Sequence, residues 1–214
     1  IKGCEHVKFK GIFSHDGNCY RAPSVEACLE ISRTAQARTL QCADLATQHG
    51  MPCETVSYGS TPPFTCHGPI LPGITELRPG TYAFMDAAQA HAVGTFDHCA
   101  ATVLASVISR PTKERVILDV GAKGLTMQQR TEGICFAPGK GLLYEDPEIC
   151  ISGMFDEHAI ILNEAFREKT SVGDKVRVIP VHICPVCNLY DRAYLISGDE
   201  VVKELPIACR GKLQ

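Results

Sequence analysis

At positions 181–191 the sequence reads VHICPVCNLYD, with one histidine and two cysteines close together. Imidazole and thiolate are both good zinc ligands. The preceding run, DKVRVIPVHICP, reads as a β-strand, in which residues two apart face the same side. His182 and Cys184 then project together, and Ile183 points the other way. Two protein donors leave coordination positions for water or substrate, as a catalytic metal site requires. A structural zinc site needs four donors, and Cys184-Pro-Val-Cys187 has no second close pair in the sequence. A thioredoxin-like pair opens a helix, whereas Asn188 and Leu189 lead into another strand-like run. A satisfied histidine beside inert buried cysteines is the plain alternative, and the spacing alone leaves it open.

Two further stretches carry chemistry of another kind. In Tyr58-Gly59-Ser60-Thr61, consecutive backbone N–H groups and two hydroxyls suit a phosphate. In RPGTY, residues 78–82, Gly80 allows close approach of the backbone, with Thr81 and Tyr82 beside it. Each is also an ordinary loop composition. In HDGNCY, residues 15–20, Tyr20 is either a turn residue or a stacking and hydrogen-bonding group at a strand end. Two phosphate-type turns after consecutive strands, followed by a metal pair, form a coherent pattern, because successive strand ends of an α/β barrel converge on one rim.

The elements that must position these residues change character along the chain. VKFKGIFS, residues 7–14, reads as a strand. Residues 24–50 read as one long helix, with Ser24 as N-cap after Pro23 and Gly50 as the stop. CETVSYGSTP and ITELRPGTYAFMD read as two more strands, so the first part alternates in the manner of parallel α/β structure. From about residue 95 the runs CAATVLASVISRP, RVILDVG, GICFAP, HAIIL, DKVRVIPVHIC, AYLIS and EVVKELPIACRG are short, β-rich and separated by turn clusters. The expected architecture is α/β plus all-β. A partial α/β barrel, its last strands only, occupies residues 1–90, and an antiparallel β domain occupies residues 91–214.

The bulk composition sets limits. A net charge of -3 over 214 residues argues against general binding to nucleic acid or an anionic membrane. No apolar run reaches the roughly 18–20 residues of a membrane helix. Twelve cysteines, scattered and often within apolar runs, read as free thiols in a reducing, cytoplasmic setting.

FKGIFSHDGNCY, SYGSTP, LRPGTYAFMD, ERVILDVGAKGLT, GDKVRVIPVHICPVCNLYD and IACRGK together resemble the C-terminal part of the eukaryotic-type D-serine dehydratases. The wider group includes the D-threonine aldolases and has an alanine racemase-like fold. The resemblance runs in order across nearly the whole chain. It implies an N-terminal barrel that binds pyridoxal 5'-phosphate and a C-terminal β domain that carries a divalent metal. Carried over residue by residue, His182 and Cys184 match the zinc pair. Gly59, Ser60 and Thr61 match one phosphate turn; Gly80 and Thr81, with Tyr82 alongside, match the other. Tyr20 and Tyr58 match pocket tyrosines, and Cys187 is left as structural. Cysteine at 184, where the aldolase branch tends to carry aspartate, tilts the expectation toward the dehydratases and toward zinc. The implied substrate is a D-3-hydroxy amino acid, D-serine first, with D-threonine and 3-hydroxyaspartate as alternatives, handled by a homodimer of the full-length protein. The family's Schiff-base lysine falls on a barrel strand absent from this sequence, and Lys123 stands in a different context. No catalytic residue is therefore assigned. The sequence, which starts at Ile1, reads as part of a longer protein, catalytically inactive on its own.

Overall fold

The computed structural model describes residue 1 and residues 3–212. β1 (Gly11–Ser14) leads through a 3-10 turn (Gly17–Arg21) into α1 (Val25–Gln48). Then follow β2 (Thr55–Tyr58), α2 (Pro62–Thr65), β3 (Glu76–Leu77), a 3-10 turn (Thr81–Ala83) and α3 (Ala87–Val93). The three strands form a parallel sheet in the order β1-β2-β3.

α1 begins where the sequence places it: the Ser24 hydroxyl accepts from the Ala27 N–H at 3.2 Å. Its buried positions are Cys28, Ser32, Gln36, Thr39 and Ala43, a helical stripe made largely of small or polar groups. Their partners are at hand. The Tyr58 hydroxyl meets Ser32, the Gln36 amide meets Pro69 and Leu71, and the Thr39 hydroxyl meets Ser14. Hydrogen bonding lets polar side chains occupy an interior face at little cost.

The second part contains β4 (Val103–Ser109), β5 (Arg115–Leu118), α4 (Ala122–Leu125), β6 (Leu142–Leu143), β7 (Gly153–Met154), β8 (Ala159–Leu162), α5 (Glu164–Lys169), β9 (Lys175–Ile179), α6 (Ile183–Cys187), β10 (Arg192–Ser197) and β11 (Glu200–Pro206). Six strands form one antiparallel sheet, in the order β6-β9-β4-β5-β8-β7, and β10 and β11 form a separate hairpin. Val103, Ala105 and Val107 alternate inward along β4 and join Val116, Leu118, Ile161, Val176 and Val178 in a common core.

The architecture is therefore a partial α/β barrel beside an antiparallel β domain. β1 has a free edge. The groove of about 590 Å³ between that edge and α1, lined by Phe13, Ser14, Thr39 and Cys42 among others, touches none of the site residues expected from sequence. Among the described residues no helix is long and apolar enough to cross a membrane.

Three sequence expectations change. The strand expected in residues 74–86 shrinks to two residues, because Pro79 and the 3-10 turn end the pairing. GICFAP is not a strand; Ala137 makes only an isolated bridge to Arg130. The strand expected to run through His182 and Cys184 ends at Ile179, and residues 183–187 form α6 instead.

Candidate functional site

Parallel pairing of Ser57 with Glu76 and Tyr58 with Leu77 makes the chain leave β2 and β3 at the same rim. Residues 59–61 and 78–82 therefore emerge side by side. Gly59 donates its N–H to the Ser14 carbonyl at 3.3 Å, and a Cβ on it would stand 2.8 Å from the Arg78 nitrogen. Only glycine allows that approach. The Thr61 hydroxyl, buried, accepts from the N–H groups of Gly80 at 3.2 Å and Thr81 at 3.3 Å. Both turns are thus tied to one oxygen. The Ser60 hydroxyl lies 3.1 Å from the Cys19 sulfur, and the Thr61 N–H donates to the Tyr20 hydroxyl at 3.4 Å. Gly80 faces open space, with no heavy atom within 4 Å of where its Cβ would be, and Tyr82 is exposed.

The two tyrosines expected in the pocket part company. Tyr20 sits at the rim beside Thr61, half-buried. Tyr58 is fully buried below it, with its hydroxyl shared between Asp16 and Ser32. Burial, and then the bond to Asp16, push its ionisation far above the ordinary tyrosine range. Tyr58 fastens β2 to α1.

Asp86 decides where the histidine and cysteine stand. One of its carboxylate oxygens accepts from the Gln89 N–H at 2.9 Å and caps α3; the other accepts from the Ile183 N–H at 3.1 Å, in the first turn of α6. Burial pushes this carboxyl up to about 6, against the pull of those N–H donors. Ile183 and Val186, three apart on the helix, enter the β-domain core. Pro185 is tolerated because it lies in the first turn, where its missing N–H is not needed. Cys184 is left exposed and His182, at the N-cap, half-buried, at the start of a helix rather than on the strand face expected from the sequence.

The Cys184 sulfur is 3.5 Å from the Thr81 hydroxyl, which brings it to the second turn of the rim. His182 Nδ1 is 2.9 Å from the Gln128 side-chain oxygen. Burial, and secondarily the Arg130 guanidinium, hold His182 down to about 4, so the ring is neutral at neutral pH. Burial and then Cys184 push the Cys187 thiol up, in keeping with a packing role. All twelve cysteines are free thiols. Among the described residues no group of three or more histidine, cysteine or acidic side chains is arranged to hold a metal. Any metal held by His182 and Cys184 would therefore complete its shell from elsewhere.

Gln128 meets His182 and Arg130 meets Tyr20, and neither carries a motif that sequence reading could catch. Their segment, MQQRTEG, becomes meaningful through its docking. Ile134 donates to the Ala22 carbonyl at 2.8 Å and Cys135 to that of Tyr20 at 3.3 Å. The Arg130 guanidinium then lies 4.9 Å above the Tyr20 ring, with its Nε buried and without an acceptor.

The chain is similar to known proteins in sequence and in fold. Residues 100–196 match the family described as "Putative serine dehydratase domain". The chain is 29% identical over 212 residues to a D-threonine aldolase of Arthrobacter sp, covering 96% of this chain and 52% of the relative. It is 25% identical over 212 residues to the D-serine dehydratase of Dictyostelium discoideum, covering 92% and 53%. Among solved structures, a cysteine-to-alanine mutant of a D-threo-3-hydroxyaspartate dehydratase, described as the metal-free form, superposes with a TM-score of 0.79 at 25% identity, over 92% of this chain and 55% of that one. An alanine racemase-like protein from Idiomarina loihiensis has the same fold, with a TM-score of 0.72 at 23% identity, over 89% and 53%. The chain spans about half the length of the curated relatives it matches.

Proposed function

We propose that this chain, which belongs to the D-serine dehydratase and D-threonine aldolase-like family, supplies the cofactor-phosphate and metal elements of a lyase that removes water from a D-3-hydroxy amino acid, converting D-serine to pyruvate and ammonia. Residues 1–90 are the barrel part of that enzyme and residues 91–214 its metal-binding domain. The observation that carries the reading is a chain of contacts that links the two turns to Cys184. The Thr61 hydroxyl binds the Gly80 and Thr81 N–H groups, and the Thr81 hydroxyl meets the Cys184 sulfur.

The residues fit the two groups the family implies. Open space beside Gly80 and the unpartnered Arg130 Nε suit an anion. An exposed thiol and a neutral imidazole suit zinc, with room left for substrate. Pyridoxal phosphate, when bound, supplies an electron sink for the carbon that loses its proton, and zinc, when bound, a Lewis acid for the departing hydroxyl. Gly59, Ser60, Thr61, Gly80 and Thr81 would line the phosphate site, the two turns held together by the Thr61 hydroxyl, with Tyr20 and Tyr82 beside it and Tyr58 supporting from below. His182 and Cys184 would hold the metal. Thiolate favours zinc over harder ions. No lysine of this chain is assigned the Schiff base; Lys123 is on the surface, paired with Glu157 at 2.8 Å.

The aldolase reading, cleavage of D-threonine or a related substrate between its α and β carbons, is favoured by the 29% identity to the Arthrobacter protein. We also take the working enzyme to be a homodimer. The exposed Tyr194, Leu195, Val201 and Val202 of the β10–β11 hairpin support this, because an isolated two-stranded hairpin is marginal in water; light scattering on the longer protein tests it.

The activity test compares residues 1–214 with a longer protein carrying them behind the earlier barrel strands. The longer protein should release pyruvate from D-serine, lose the activity to a strong chelator and regain it with zinc. Residues 1–214 should release none, since losing a group that acts as part of a catalytic unit costs several orders of magnitude. Glycine and an aldehyde as products would select the aldolase. Chelator-insensitive turnover by residues 1–214 would sink the proposal.

A further inference from the structure

The chain leaves α4 through Thr126, whose φ of 66° places a β-branched residue in the left-handed region. Thr126 then accepts the Gln128 N–H on its hydroxyl at 3.3 Å, and Arg130 bridges to Ala137 two residues on. This fixed path brings the half-buried Gln128 side chain against His182, amide oxygen to Nδ1, at 2.9 Å.

Building on the metal reading of His182, we propose that Gln128 is the positioning residue that sets the His182 tautomer, holding the proton on Nδ1 and leaving the Nε2 lone pair for the metal. An amide oxygen can only accept, so the ring nitrogen facing it carries the hydrogen. A neutral imidazole has one such hydrogen, and Nε2 is therefore the free donor. Without an acceptor at position 128, the ring is released to the Nε2–H form that free histidine favours, and must change tautomer before it can ligate. Partners that hold the non-ligating nitrogen also fix the ring's orientation.

Two measurements on this chain test the proposal. A long-range proton–nitrogen correlation spectrum of the metal-free protein at neutral pH should show His182 as the Nδ1–H tautomer. Zinc affinity, read by competition with a chromophoric chelator, should fall roughly 10–100-fold in Gln128→Leu and stay within a few-fold in Gln128→Glu, which keeps an acceptor. His182→Ala and Cys184→Ala serve as controls. If both controls lose zinc while Gln128→Leu binds it like the parent, the tautomer role is overturned and the metal reading stands. If neither control affects zinc, the metal reading fails and takes this inference with it. An Nε2–H signature in the parent protein overturns the inference without any variant and so holds even if Gln128→Leu folds poorly.

Discussion

Cys184 is exposed, and its sulfur meets the Thr81 hydroxyl. Replacing it with alanine removes the proposed soft ligand without opening a core cavity. Cys184→Ala should abolish tight zinc binding, measured by chelator competition, and leave the unfolding midpoint nearly unchanged. Thr61 is the opposite case. It is buried, and its hydroxyl is the acceptor for two backbone N–H groups. Thr61→Val keeps the shape and deletes the acceptor. Stranding those donors should cost about 1–3 kcal/mol in denaturant unfolding. It should also weaken binding of pyridoxal phosphate by the longer protein, because the two turns would no longer be tied.

At the scale of elements, Asp86 controls two helices at once, and its titration opposes that of His182. The Asp86 carboxyl titrates near 6 when folded, above the roughly 3.9 of an unfolded chain, so its stability contribution is present at low pH and declines as pH rises through that window. His182 titrates near 4 when folded, below the roughly 6.5 of an unfolded chain, so its contribution is present at high pH and is lost as pH falls. In the metal-free chain the two slopes largely cancel between about pH 4 and 6. Asp86→Asn removes one of them. Its unfolding free energy should fall with acidification across that window more steeply than the parent's, and a pH series of urea titrations reads the difference. Equal slopes would mean that one of the two groups is not perturbed as described.

For the whole molecule, Arg130 reaches Tyr20 because the loop at 130–137 docks on the 3-10 turn at 17–21. Gly133 makes that contact possible. Its φ is 74°, and a Cβ on it would stand 2.4 Å from the Arg21 backbone. Gly133→Ala is strained on both counts. It should speed amide exchange at Ile134 and Cys135, whose N–H groups cross to Ala22 and Tyr20, while protection in the β4–β9 core stays as it was. Unchanged exchange at those two amides would show that the docking does not depend on glycine there.

The sequence alone carried the long helix with its Ser24 cap, the two-part architecture and the two turns after successive strands, because caps, periodicity and turn residues act locally. The strand on which the sequence placed His182 and Cys184 is not there; it ends at Ile179 and a short helix follows. α6 forms there because Asp86, far away in the chain, accepts the Ile183 N–H, and because Ile183 and Val186 find a core. Such long-range partners leave no local trace. The same holds for Gln128 and Arg130, ordinary polar residues until the loop at 130–137 docks. It holds too for Tyr58, which reads like Tyr20 in sequence but is drawn into the interior by Asp16 and Ser32. Local propensity suggested which residues could do chemistry; contacts between distant segments decided which of them touch.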